Sequence, residues 1–184
     1  MKKSYDYFKT LKFMADCVTE AFDDSVNGKD IQGAFIKFSG IKFELSDNLI
    51  DEFVAPLERD DIFRLAFCLY EELWCVKRLF AIISILDYKN NEITGQLSEM
   101  LEKQCDAFSS FGDIKEPKKL LKMASNASLL CNRLKKELLS NLVDVLKKSS
   151  QPLLNYSIIC AELELLKAIS VALGELESVV INNN

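Results

Sequence analysis

Six antiparallel helices, with no strand, are expected from this chain, and three observations point there. Only 6 glycines and 3 prolines interrupt 184 residues, and few breakers with many Leu, Ile, Lys and Glu favour long helices. Apolar residues recur at alternating steps of three and four along six separate stretches, the spacing that lines one helix face. No stretch alternates apolar and polar residues as a half-buried strand does.

The first helix is expected from about Ser4 to Val26, with Phe8, Leu11, Ala15, Val18 and Phe22 on its apolar face. Asn27-Gly28 ends it, because glycine accepts a left-handed backbone. Asp30 is the candidate N-cap of a second helix striped by Ile31, Phe35, Phe38, Ile41, Leu45 and Leu49 and reaching Phe53. Gly33 and Gly40 inside it each cost on the order of 1 kcal/mol against Ala, so each marks either a close helix contact or a local weakness.

Pro56 stops that helix, since the residue before a proline is pushed out of helical geometry. The third helix starts near Glu58, where Glu58, Asp60 and Asp61 complement the helix dipole. Ile62, Ala66, Leu69, Leu73, Val76, Phe80 and Ile83 then follow a 4-3 spacing. Leu65, Leu79, Ile82 and Leu86 widen the stripe, so this helix should be central. Tyr88 to Asn91 reads as a turn.

The fourth helix carries Ile93, Leu97, Met100, Leu101 and Phe108, and Ser109 to Asp113 should break it. Pro117 suits the first turn of the fifth, striped by Leu120, Met123, Ala127, Leu130, Leu134, Leu138, Leu142 and Val145 and closed by Lys147-Lys148. Pro152 opens the sixth, with Ile159, Leu163, Leu166, Ile169, Leu173, Leu176 and Val180 on its face. Ile181 to Asn184 reads as a fraying tail. Short connections make successive helices antiparallel neighbours.

A net charge of -5 argues against nucleic acid, whose phosphates need a basic face. Met1-Lys2-Lys3 leads into an amphipathic helix rather than a signal sequence. The most apolar run, Leu79 to Leu86, is far shorter than the roughly 20 residues of a membrane span. A cytoplasmic protein with no transmembrane segment is expected. Six cysteines (Cys17, Cys68, Cys75, Cys105, Cys131 and Cys160) show no CxxC pair. Cys68 and Cys75 lie a heptad apart, roughly 10 Å along a helix, too far for a disulfide. They read as reduced core residues.

Candidate chemistry is sparse. No histidine is present, so no Ser-His or Cys-His nucleophile pair can form, and no glycine-rich phosphate loop occurs. No catalytic residue and no cofactor are expected. Glu20 with Asp24, Asp47 with Asp51, and Glu102 with Asp106 place two carboxylates on one helix face, as carboxylate metal sites require. A chain with 28 acidic residues also generates such pairs by chance. Lysines 118, 119 and 122, lysines 135, 136, 147 and 148, and Lys77-Arg78 form three basic patches that suit an acidic partner or an ordinary mixed-charge surface. Tyr70 and Trp74 stand one turn apart, as helix-interface packing or as a partner hot spot.

The run Phe53-Val54-Ala55-Pro56-Leu57-Glu58-Arg59-Asp60-Asp61-Ile62, followed by Leu65 and Leu69, resembles the PhoU-like proteins, and more closely their branch encoded beside Pit-type phosphate transporters. The shared pattern is an aromatic residue, two small or apolar residues, Pro, then an acidic-Arg-acidic-Asp-Ile cluster at a helix start. It covers about 15 residues in motif and most of the chain in helix order. The resemblance implies a single PhoU-like domain over 1–184, a pair of three-helix bundles at about 1–89 and 90–184, and a role in phosphate uptake or its regulation. Members often carry metal-binding acids on the second, third, fifth and sixth helices. Here those positions hold Phe35 and Ser39, then Tyr70, Glu71 and Trp74, then Ala124, Asn126 and Ser128, then Glu162, Glu164 and Lys167. Aromatic residues fill space between helices but hold no hard cation, which needs convergent carboxylates.

The expected function is therefore that of a divergent, non-enzymatic accessory or regulatory protein of phosphate transport, acting through helix-face contacts with a transporter or sensor protein. Glu58, Arg59, Asp60, Asp61, Tyr70 and Trp74 are the candidate partner-binding residues. One alternative is a metal-binding protein of the same fold that uses Glu71 with Glu102 and Asp106. Another is a generic helical interaction protein that kept only the fold. Self-association stays open.

Overall fold

A computed structural model describes residues 5–51, 57–86, 92–111, 117–148 and 150–183, with no side-chain description at 85, 86, 92, 93 and 145. Six helices and no strand occur among the described residues: α1 Tyr7–Val26, α2 Gln32–Asp51, α3 Arg59–Leu86, α4 Glu92–Phe111, α5 Pro117–Lys148 and α6 Pro152–Asn182. The all-α bundle expected from periodicity is what forms.

Local chemistry sets most boundaries. Asp6 Oδ1 accepts from the Lys9 amide at 3.0 Å, so the first turn is capped there and α1 begins at Tyr7 rather than near Ser4. Gly28 takes φ +70°, and the Lys29 amide donates to the Asp24 carbonyl at 2.8 Å. Asp30 Oδ1 accepts from the Gln32 amide at 3.0 Å, as an N-terminal residue of α2 should. The Glu58 carbonyl receives the amides of Asp61 and Ile62 at 3.0 and 3.3 Å, opening α3. Phe53, Pro56 and the turn at Tyr88 to Asn91 lie outside the described residues.

Two expectations fail. Ser109 to Phe111 continue α4 instead of breaking it. Ser109 Oγ turns back to the Cys105 carbonyl at 2.8 Å, and Phe111 is buried edge-on against Phe8, with centroids 5.1 Å apart. Burial of that ring holds the last turn. The supposed tail is also tied down. α6 runs to Asn182, and Asn183 Nδ2 donates to Asp61 Oδ2 at 3.2 Å and to the Val179 carbonyl at 2.8 Å.

The buried face of α5 is Leu120, Ala124, Ala127, Cys131, Leu134 and Leu138, one residue round from the expected Met123 and Leu130. The smaller Ala124 and Cys131 let α5 lie close to α6, its most extensive neighbour, while Met123 and Leu130 sit at the edge.

Packing joins the two halves. α1 meets α2, α3 and α4, and α6 meets α3, α4 and α5. The α3–α6 and α1–α4 pairs run antiparallel, as their cross-links show: Arg64 to Glu175 at 3.0 Å and Arg78 to Glu164 at 3.2 Å between α3 and α6, and Ser98 to Asp23 at 3.0 Å with Thr19 to Cys105 at 3.1 Å between α1 and α4. One continuous core runs from Tyr7 to Val180, so residues of both three-helix units share it. α2 is the peripheral helix, with only Ala34, Phe38, Leu45 and Leu49 buried and a thin contact with α3. No described helix is long and apolar enough to cross a membrane. All six cysteines are free.

Candidate interaction surface and buried carboxylates

The helix-start cluster divides. Glu58, Arg59 and Asp60 are exposed. Asp61 is only 3% exposed, pairs with the Arg64 guanidinium and accepts from Asn183. A carboxylate so engaged ties α3 to the end of α6, so Asp61 is not an open contact for a partner. Tyr70 and Trp74 lie ten or more residues further along α3, on the order of 15–20 Å at 1.5 Å per residue. The two groups of candidate residues are therefore separate surfaces.

Tyr70 and Trp74 pack against α2. Phe35 meets Trp74 edge-on with centroids 5.5 Å apart, Phe38 meets Tyr70 at 5.9 Å, and Tyr70 meets Trp74 at 6.2 Å. Such pairs add about 0.5–1.5 kcal/mol beyond their buried area. Two ammonium groups sit over the rings. Lys42 Nζ is 4.0 Å from the Tyr70 centroid, and Lys77 Nζ is 4.6 Å from Trp74 and 4.9 Å from Phe35. Phe38 is fully buried, whereas Trp74 keeps 38% of its surface exposed. The cluster thus seals α2 to α3 and presents one indole edge flanked by positive charge.

Phe35, Tyr70 and Trp74 are positions at which the resemblance places acids. They do converge here, as aromatic rings rather than carboxylates. Glu71 points elsewhere, into a groove of about 380 Å³ between α3 and α6 that Phe67, Arg78, Lys167 and Val171 also line. Glu102 and Asp106 are exposed on α4. Among the described residues no three Cys, Asp or Glu side chains are placed to hold a metal ion, so the set Glu71, Glu102 and Asp106 does not form a site.

Two further acids are buried: Glu72, which the sequence reading does not single out, and Glu162, whose burial it does not anticipate. Glu72 on α3 is fully buried, and Gln104 Nε2 on α4 donates to its Oε1 at 2.6 Å. Its Oε2 has no hydrogen-bond partner among the described residues. Burial pushes this carboxyl up to about 8, against the smaller opposing effect of the Gln104 hydrogen bond. Glu162 on α6 is 1% exposed, and burial pushes it up to about 7. The signal was present: Glu72 stands midway between Leu65 and Leu79, a heptad from each on the buried stripe. The α3–α6 groove had no such signal, because it depends on which helices become neighbours. No protein-family model matches the sequence, and no curated protein is detectably similar to it.

Proposed function

We propose that this chain is a non-enzymatic accessory or regulatory protein of phosphate transport that acts through a helix-face contact. The carrying observation is the partly exposed Trp74, which touches Phe35, Tyr70 and Lys77, with Lys42 over the adjoining Tyr70 ring. Tryptophan and tyrosine are enriched among the few residues that carry most of an interface's binding energy. The two flanking cations favour an acidic partner segment. Aromatic packing fills the positions where the resemblance would place metal-binding acids, which supports contact over ion binding. The phosphate connection rests on the resemblance of the Phe53 to Ile62 run.

The test is deletion of the gene in its native host with measurement of phosphate uptake, paired with affinity capture of the tagged chain. Altered uptake and capture of a phosphate permease or sensor are expected. Unchanged uptake with capture of an unrelated partner would favour a generic interaction protein of the same fold.

A further inference from the structure

We infer that the outer face of α2 is a self-association surface on which a second copy of the chain packs antiparallel. Ile36, Phe43 and Ile50 are 66%, 72% and 74% exposed. They recur every seven residues, so they form one straight apolar stripe about 21 Å long. Phe63, Phe67 and Trp74 also share one face of α3, but at 43%, 58% and 38% they are less exposed than the α2 stripe, and Trp74 is packed against Phe35 and Tyr70.

Gly33 and Gly40 flank this stripe. A Cβ added at either would meet nothing within 4 Å, so neither is needed for contact inside this chain. Each still weakens the helix by about 1 kcal/mol. A close approach by another helix accounts for both.

Charge selects the occupant. One flank of the stripe carries Lys37 near the start of α2 and Glu44, Asp47 and Asp51 toward its end. A two-fold axis through Phe43 sets Ile36 opposite Ile50 of the second copy and Lys37 beside that copy's Asp47 and Asp51. In a parallel pair this flank faces the other side of the stripe, Gln32, Ser39 and Ser46, where Lys37 meets no acid. The isologous arrangement thus pairs Lys37 with acids at both ends of the contact, and the two Glu44 side chains come near each other only at the axis. Lys37 now bonds Glu20 at 2.7 Å with both side chains more than half exposed, a contact that exchanges readily in water. A single helix pair buries less than the roughly 1,200 Å² of a stable interface, so the dimer dissociates on dilution.

Sedimentation equilibrium of the full chain tests this over a wide concentration range. Reversible dimerisation is expected. Phe43→Asp should weaken it about tenfold or more with an unchanged far-UV spectrum. Lys37→Glu should also weaken it, and Lys37→Glu with Asp47→Lys and Asp51→Lys should restore it. A chain that stays monomeric at several hundred micromolar overturns the inference. So does a dimer indifferent to Phe43→Asp, or one that Lys37→Glu strengthens. Phe43-dependent binding of the monomer to phospholipid vesicles, without dimerisation, would reassign the face to a lipid surface.

Discussion

Gln104 on α4 reaches across to Glu72 on α3, its amide nitrogen 2.6 Å from a carboxyl oxygen that has no exposure to solvent. The pair sits on the heptad between Leu65 and Leu79, where an apolar residue would ordinarily stand. Its partner oxygen is left without a hydrogen bond among the described residues. Such a group is most comfortable protonated.

Stability should therefore fall as pH rises. The folded Glu72 value of about 8 lies above the ordinary 4.5, so the folded chain holds a proton that the unfolded chain releases. The benefit is full below pH 4.5 and is lost as pH climbs to about 8, with a slope of up to about 1.4 kcal/mol per unit. Glu162 adds the same sign between 4.5 and about 7. Chemical denaturation at pH 6 and pH 8 reads this directly. Glu72→Gln should flatten the dependence and raise Tm at pH 8 by several degrees, on the order of 3–8 °C. A flat wild-type profile contradicts the burial of both acids.

Asn183 should matter more than its place in a supposed tail suggests. Asn183→Ala removes a donor from the buried Asp61 and should cost about 0.5–1.5 kcal/mol. Asp61→Ala removes both contacts at once, while Arg64 keeps Glu175 and Asn183 keeps the Val179 carbonyl, and should cost somewhat more than Asn183→Ala. Urea unfolding measures both. Equal stability of all three chains would show that α6 does not depend on this tie.

The thiols should be slow to react. Burial pushes Cys105 up to about 12 and Cys68 up to about 11, and Cys17, Cys75 and Cys131 are raised by the same cause. At pH 8 a thiol at 11 is thiolate in about one molecule per thousand. Iodoacetamide mapping of the native chain should spare Cys68 and Cys105, and unfolding should expose them. Rapid native labelling of Cys105 would be incompatible with its packing beside Thr19.

The fold was readable because nearly every helix announces itself locally. Asp30, Pro117 and Pro152 mark starts by backbone chemistry, and the 4-3 stripes mark buried faces, whereas the Asp6 cap that moves α1's start to Tyr7 goes unread. What was hidden depends on neighbours. Phe111 stays helical because Phe8 waits across the interface. Asn183 is ordered because Asp61 lies 122 residues earlier at the matching level of α3. Leu130 is the larger apolar side chain, yet the smaller Cys131 is the one buried, since close packing rewards fit over bulk. Tyr70 and Trp74 were visible as a pair, but their contact with Phe35 and the two lysine caps needed the register of α2 on α3.

The contact face itself is tested most directly by affinity capture from the native host with wild-type chain and with Trp74→Ala and Lys77→Glu variants of equal helical content. A phosphate permease or sensor should be recovered with the wild type and reduced about tenfold or more with either variant. Recovery of the same partner in undiminished amount with both variants would contradict the assignment of the Trp74 surface.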